Sequence, residues 1–210
     1  MAERKPVLVV VAGANGSGKT TITTALRKAY DWTDGLVEIN PDHIAQEEFG
    51  DWNDHASILK AANRADQIRE ECLTAREGLL FETVLSTPEK VDYIRRAKES
   101  GYFIRLVYVA TENPEINILR VEWRYSQGGH TVPREKIEPR YIRSLKLAVD
   151  VARLADRAYF VDNTQDVDEA EGEIDPFTVF RTVDGKIAKS YLPEADFPEW
   201  AKPIYNALKM

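Results

Sequence analysis

Eight consecutive residues, Gly13-Ala14-Asn15-Gly16-Ser17-Gly18-Lys19-Thr20, satisfy the spacing G-x-x-x-x-G-K-[S/T]. The residue types fit one chemistry, the binding of a phosphate chain. Glycines let the backbone turn tightly and bring its N–H groups against phosphate oxygens. A helix starting at the end of such a loop adds unpaired N–H groups and the positive end of its dipole. Lys19 would then reach the β- and γ-phosphates, and the Thr20 hydroxyl would hold Mg²⁺. The expected nucleotide contacts are Gly13, Ala14, Asn15, Gly16, Ser17, Gly18, Lys19, Thr20 and Thr21, with Thr20 on the metal. ATP or GTP binding follows from this stretch.

Two carboxylates stand where such a site needs them. Asp42, in Asn40-Pro41-Asp42-His43, lies one turn past the end of an apolar segment. There it serves either as the base for a substrate hydroxyl or as a solvated first-turn acid that complements a helix dipole. Glu82 closes the run Gly78-Leu79-Leu80-Phe81-Glu82-Thr83. It either contacts substrate or stands beside Mg²⁺ as a Walker B acid does. Cations come later. Arg120 and Arg124 are spaced i, i+4 on one helix, and Arg134, Lys136, Arg140, Arg143 and Lys146 follow Gly128-Gly129-His130. Arginines on a lid supply the charge compensation that phosphoryl transfer needs. A solvated face paired with Glu135 and Glu138 is the plainer reading for most of them.

The elements that must position these residues alternate. Apolar, β-branched Val7–Val11 reads as a buried parallel strand, and a helix is expected from about Lys19 to Tyr30. Further strands are expected at 35–40, 78–83, 102–109 and 158–163. Helices are expected at 53–76, from Ser86 or Thr87 to Ser100, and from Asn113 onward. Such alternation predicts an α/β fold with a parallel sheet and helices on both faces. Pro139 is expected to interrupt the basic segment, with a helix starting afresh at Arg140. Residues 162–175 read as an acidic exposed loop. Asp184-Gly185 between 177–183 and 186–191 predicts a hairpin. A last amphipathic piece holds Trp200, Ile204, Tyr205 and Leu208.

Composition narrows the function classes. The 210 residues are 43% hydrophobic and 30% charged, with a net charge of −7, which gives no footprint for nucleic acid or an anionic membrane. Cys72 is the only cysteine, so no internal disulfide can form. The basic N-terminus and the short apolar run imitate a signal peptide, but cleavage would cut the glycine loop; a cytoplasmic first strand is expected. A GTPase would carry an N-K-x-D motif, which is absent. Ser126-Gln127-Gly128-Gly129-His130 lacks the acidic strand that an ABC-type ATPase places after such a signature.

Taken together, GANGSGKT at 13–20, NPDH at 40–43, FETVLST at 81–87, RVEWRYSQGGHTVPREKIEPRYIRSL at 120–145 and VDN at 161–163 resemble the zeta-toxin-like P-loop kinases, particularly their short bacterial members. The stretch from 120 to 145 is the most specific. The resemblance implies a P-loop NTPase fold with a five-stranded parallel sheet ordered 2-3-1-4-5 and a C-terminal hairpin. It implies one kinase domain over 1–210, with its core at about 5–165 and the hairpin and helix at about 176–208. It further implies Asp42 as general base, Lys19 on phosphate, Glu82 and Thr83 at the substrate-contacting strand end, and Arg120 on the transferring phosphoryl. His130 falls near a second arginine of larger members; Arg124 or Arg134 could replace that cation. The implied cofactors are ATP and Mg²⁺. The implied acceptor is a small-molecule hydroxyl, such as that of UDP-N-acetylglucosamine, and an antitoxin is the implied protein partner. The alternatives are a kinase for another sugar, an antibiotic or a nucleoside, or a nucleotide-binding protein without phosphotransfer.

Overall fold

The computed structural model describes residues 5–50, 54–129, 131–165 and 177–210. Strand β1 (Val7–Ala12) has every residue after Val7 buried. Both its faces are covered: Leu8, Val10 and Ala12 pack into the larger core, while Val9 and Val11 pack with Ile22 on the opposite side. That explains a run with no polar alternation.

The chain continues through α1 (Lys19–Ala29), β2 (Val37–Ile39), α2 (Pro41–Phe49), α3 (His55–Ala75), β3 (Leu79–Thr83) and α4 (Pro88–Glu99). Then come β4 (Phe103–Ala110), α5 (Pro114–Ser126), α6 (Arg134–Leu154), β5 (Arg157–Asp162), β6 (Phe177–Val183), β7 (Lys186–Ser190) and α7 (Ala201–Lys209). Polar caps fix several helix starts. The Asn40 side chain accepts from the Asp42 N–H at 3.0 Å, that of Asp54 from Ser57 at 2.8 Å, and that of Asn113 from Ile116 at 3.2 Å. Asn53, the expected start of α3, lies outside the described residues, as do His130 and most of the acidic stretch expected to form a loop.

The sheet order is β2-β3-β1-β4-β5-β6-β7. Its first five strands are parallel in the expected order, and β6 and β7 are antiparallel. The hairpin is therefore not an appendage beside a five-stranded sheet. It pairs with β5 and continues the sheet, satisfying backbone groups that a bare edge at β5 would expose. Phe180 stacks on Phe160 with centroids 4.3 Å apart, and Phe197 and Tyr205 extend the aromatic column.

Pro139 also departs from expectation. Helix α6 runs unbroken from Arg134 to Leu154 with Pro139 inside it. The proline falls early in the helix, so its missing N–H forfeits only the bond to the carbonyl of Glu135, an exposed residue whose backbone water can reach.

Register decides where chemistry can occur. Ala12 lies opposite Thr83 and Tyr108, and Ala110 lies opposite Asp162. The carboxyl ends of β1, β3, β4 and β5 thus form one rim, the usual ligand side of an open parallel sheet. No helix of the described residues is long and apolar enough to cross a membrane.

Candidate active site

The loop between β1 and α1 is held from three sides. The Gly13 N–H donates to the Thr83 carbonyl at 3.1 Å, which ties the loop to β3. Asn117 Nδ2 of α5 donates to the Asn15 carbonyl at 2.8 Å, and Asn163 Nδ2, just past β5, donates to the Ser17 carbonyl at 2.9 Å. Gly16 has φ +80°, and a Cβ there would collide with the Asn117 backbone. The glycine is required by conformation and by the close approach of α5. Helix α1 carries no acid in its first turn, whereas α2, α4 and α5 do. Its N-terminus therefore remains open to an external anion.

Lys19 Nζ donates to the carbonyls of Gly13 and Ala14 at 2.9 and 3.0 Å, folding over the loop that it follows. Desolvation lowers its pKa; the charges of Glu82 and Asp42 oppose that shift, and those of Arg124 and Arg140 add to it. Two carboxylates and two guanidinium groups therefore act on one ammonium, although they come from α2, β3, α5 and α6.

Thr20 Oγ1 donates to Glu82 Oε2 at 3.0 Å. Glu82 Oε1 is buried and has no hydrogen-bond partner among the described residues. A buried carboxylate oxygen left over beside a Thr hydroxyl suits a hard, oxygen-seeking cation. The residues fit Mg²⁺ held by few protein oxygens, the arrangement usual where phosphates and water complete the shell. Among the described residues no group of three or more His, Cys, Asp or Glu forms a metal cage.

Thr83, at the end of β3, accepts from the Leu85 N–H at 3.0 Å. Leu85 is fully buried with φ +51°, a conformation non-glycine residues rarely adopt. The Thr83 side chain therefore shapes the turn that leads to α4. Asp42 stands in the first turn of α2, ahead of the buried Ile44 and Ala45.

The later arginines separate by partner. Arg120 lays its guanidinium on the turn after β5, donating to the Asn163 carbonyl at 2.8 Å and that of Gln165 at 2.9 Å, with Thr164 at 3.4 Å. Arg124, one turn on, contributes its charge at Lys19. Arg134 faces Glu122 at 3.5 Å on the exposed surface. Arg143 Nε donates to the Ser86 carbonyl at 3.2 Å. Arg140 Nη1 donates to Asn15 Oδ1 at 3.2 Å, inside the phosphate loop.

Of the residues expected at the site, Lys19, Thr20, Asp42, Glu82 and Arg124 come together, and Thr21 lies exposed beside them on α1. Sequence reasoning did not single out Asn117, Asn163 or Arg140. Asn163 was legible as a polar residue at a strand end. Arg140 was hidden among similar cations. Asn117 carried no signal, because its role depends on α5 lying over the loop.

With this geometry established, comparison with known proteins places the chain. The zeta toxin family model matches residues 1–174. The toxin PezT of Streptococcus pneumoniae serotype 4 is 26% identical over 138 residues, covering 60% of this chain and 53% of PezT. An uncharacterized protein of Haemophilus influenzae is 27% identical over 133 residues, covering 63% of this chain and 91% of its own length. Among solved structures, that of the PezAT toxin–antitoxin system of Streptococcus pneumoniae superposes with a TM-score of 0.58 at 19% identity, covering 99% of this chain and 80% of the other. The AvrRxo1-ORF1:-ORF2 complex gives a TM-score of 0.54 at 20% identity, covering 98% and 64%. These structural likenesses concern the fold, whereas the family match extends over the loop, Asp42, Glu82 and both α5 arginines; the chain belongs to the zeta toxin family of P-loop kinases.

Proposed function

We propose that this chain is an ATP- and Mg²⁺-dependent phosphotransferase acting on a small-molecule hydroxyl, with a sugar nucleotide such as UDP-N-acetylglucosamine as the leading acceptor. The observation that carries the reading is the Thr20–Glu82 hydrogen bond, with Glu82 Oε1 buried and unpartnered among the described residues, beside the phosphate loop over which Lys19 folds.

Phosphoryl transfer requires positioning and charge compensation more than covalent chemistry. Lys19 leaves the Gly13 and Ala14 carbonyls and takes phosphate oxygens in their place. Thr20 and Glu82 would hold Mg²⁺, which would supply positive charge against the phosphate oxygens. Asp42 takes the proton of the acceptor hydroxyl. Arg124 adds positive charge at the transferring group, and Arg120 fixes the turn at 163–165 on the nucleotide side. In this reading Glu82 and Thr83 border the acceptor, as does His130, which lies outside the described residues. The PezAT and AvrRxo1-ORF1:-ORF2 assemblies support an antitoxin-type protein partner for this chain as well.

The test is ATP consumption by the purified protein in Mg²⁺ buffer, with and without UDP-N-acetylglucosamine, beside Asp42→Asn. Stimulation by the sugar nucleotide that falls about 10²-fold or more in the variant supports both base and acceptor. Wild-type turnover in Asp42→Asn would remove the base assignment. ATP binding without stimulation would shift the acceptor to another sugar, an antibiotic or a nucleoside, or leave a nucleotide-binding protein without phosphotransfer.

A further inference from the structure

We infer that Arg140 of α6 is a phosphate-contacting residue, meeting the terminal phosphate of the nucleotide at the loop beside Asn15. This deepens the kinase reading and rests on it.

The first observation is position. Arg140 Nη1 reaches Asn15 Oδ1 at 3.2 Å, and the Asn15 carbonyl is held at 2.8 Å by Asn117. Asn15 is therefore clamped between α5 and α6, and the guanidinium lies at the loop rather than out in solvent. Arg140 and Arg143 are three residues apart on α6, so their side chains leave the same side of the helix. Arg143 fastens the same helix to Ser86, beyond the end of β3. Between them, the two arginines hold α6 across the ends of β1 and β3, where the loop and Glu82 meet.

The second observation is what Arg140 lacks. A guanidinium has five N–H donors, and among the described residues only the bond to Asn15 is made. None of the ion pairs among the described residues includes Arg140, although it is half-buried and next to Arg143. Withdrawing a cation from water without an anion is unfavourable. Arg134, the more obvious candidate by sequence, has Glu122 and is exposed. An anionic ligand at the loop would compensate Arg140. Burial and the nearby Arg143 also lower its pKa, as expected for a cation awaiting a counter-charge.

The third observation is rigidity. Tyr141, next in the chain, is buried and donates to the Thr111 carbonyl at 2.7 Å, and Ser144 is bonded to Tyr108 at 3.0 Å. Arg140 is thus carried on a helix anchored to the end of β4. A cation on such a scaffold is preorganised for the transferring phosphoryl and need not be ordered when nucleotide arrives.

The test is calorimetric titration of the full chain with Mg²⁺–ADP and with Mg²⁺–AMP-PNP. Arg140→Gln should weaken AMP-PNP roughly tenfold or more, the usual effect of removing a charged hydrogen bond, and change ADP less than about twofold. Arg140→Lys, which keeps the charge without the fork, should fall between the two and serves if the Gln variant does not fold. Arg143→Gln should leave the AMP-PNP to ADP ratio unchanged. Equal losses for both nucleotides would make Arg140 only a brace for the loop and overturn the inference. Unchanged affinities would overturn it too. A wild-type protein that binds neither nucleotide would instead overturn the kinase reading on which the inference rests.

Discussion

The Thr20 hydroxyl donates to Glu82 Oε2 at 3.0 Å, while Glu82 Oε1 is buried without a partner among the described residues. One carboxylate is thus bound on one side and unsatisfied on the other, an arrangement that costs stability unless a cation completes it. Glu82→Gln and Thr20→Val should each raise the Mg²⁺ concentration for half-maximal ATP turnover by roughly 10-fold or more. The nucleotide-free Glu82→Gln protein should be about as stable as wild type, because the amide keeps an acceptor for Thr20 and Oε1 has no partner to lose. Metal-dependent turnover and urea unfolding separate the two effects. An unchanged Mg²⁺ dependence would remove Glu82 from the metal site.

Arg120 contacts three successive carbonyls after β5. Hydrogen bonds from a charged donor that orders a turn stabilise the folded chain, and the fork geometry of arginine is needed to span them. Arg120→Ala should lower stability by about 2 kcal/mol, and Arg120→Lys should recover less than half of that. Urea unfolding measures both. If Arg120→Ala kept wild-type stability and lost only turnover, its place would be at the transferring phosphoryl, as the family resemblance implies, and not at the turn.

Glu70 of α3 meets Arg96 of α4 with two hydrogen bonds, at 2.9 and 2.5 Å. These bonds hold the Glu70 pKa below 4.5. A depressed folded-state pKa contributes stability that is present above the unfolded value and lost as pH falls through the folded one. Both side chains are about half exposed, so the effect is small. Glu70→Gln should cost about 0.5 kcal/mol at neutral pH, less in high salt, and progressively less as pH falls through the lowered folded-state pKa. A cost that persists in acid would mean packing rather than charge.

The strand–helix alternation and the phosphate loop were legible in the sequence because each is written locally: an apolar run, a glycine spacing, a cap. Asn40-Pro41 marked the start of α2 for that reason, and Asp184-Gly185 marked the turn between β6 and β7, where both residues have positive φ. What the sequence did not reveal depends on tertiary placement. Nothing in 177–191 states that the hairpin must pair with β5. The Trp200 Nε1 bond to buried Asp162, at 2.7 Å, joins residues 38 apart. The arginines of α5 and α6 look alike along the chain. They differ only once Arg120 finds carbonyls, Arg134 a surface acid and Arg140 the loop. Pro139 misled because a local rule for helix breaking was applied where one lost bond near a helix start is tolerable.

Gly16 and Gly35 offer a paired test of how far the loop depends on its neighbours. Both have positive φ, +80° and +75°, so alanine at either position carries a similar conformational cost of about 1 kcal/mol. Their surroundings differ. A Cβ at Gly35 meets nothing within 4 Å, whereas at Gly16 it strikes the carbonyl and Cα of Asn117. That backbone belongs to α5 and cannot turn aside as a side chain would. It can yield only by moving Asn117, whose amide holds the Asn15 carbonyl. Gly16→Ala should therefore destabilise the chain by about 2 kcal/mol or more and weaken Mg²⁺–AMP-PNP by at least about tenfold. Gly35→Ala should cost only about 1 kcal/mol and leave nucleotide affinity unchanged. Urea unfolding and nucleotide titration of the two variants provide the comparison. Equal effects at the two glycines would mean that α5 does not brace the phosphate loop.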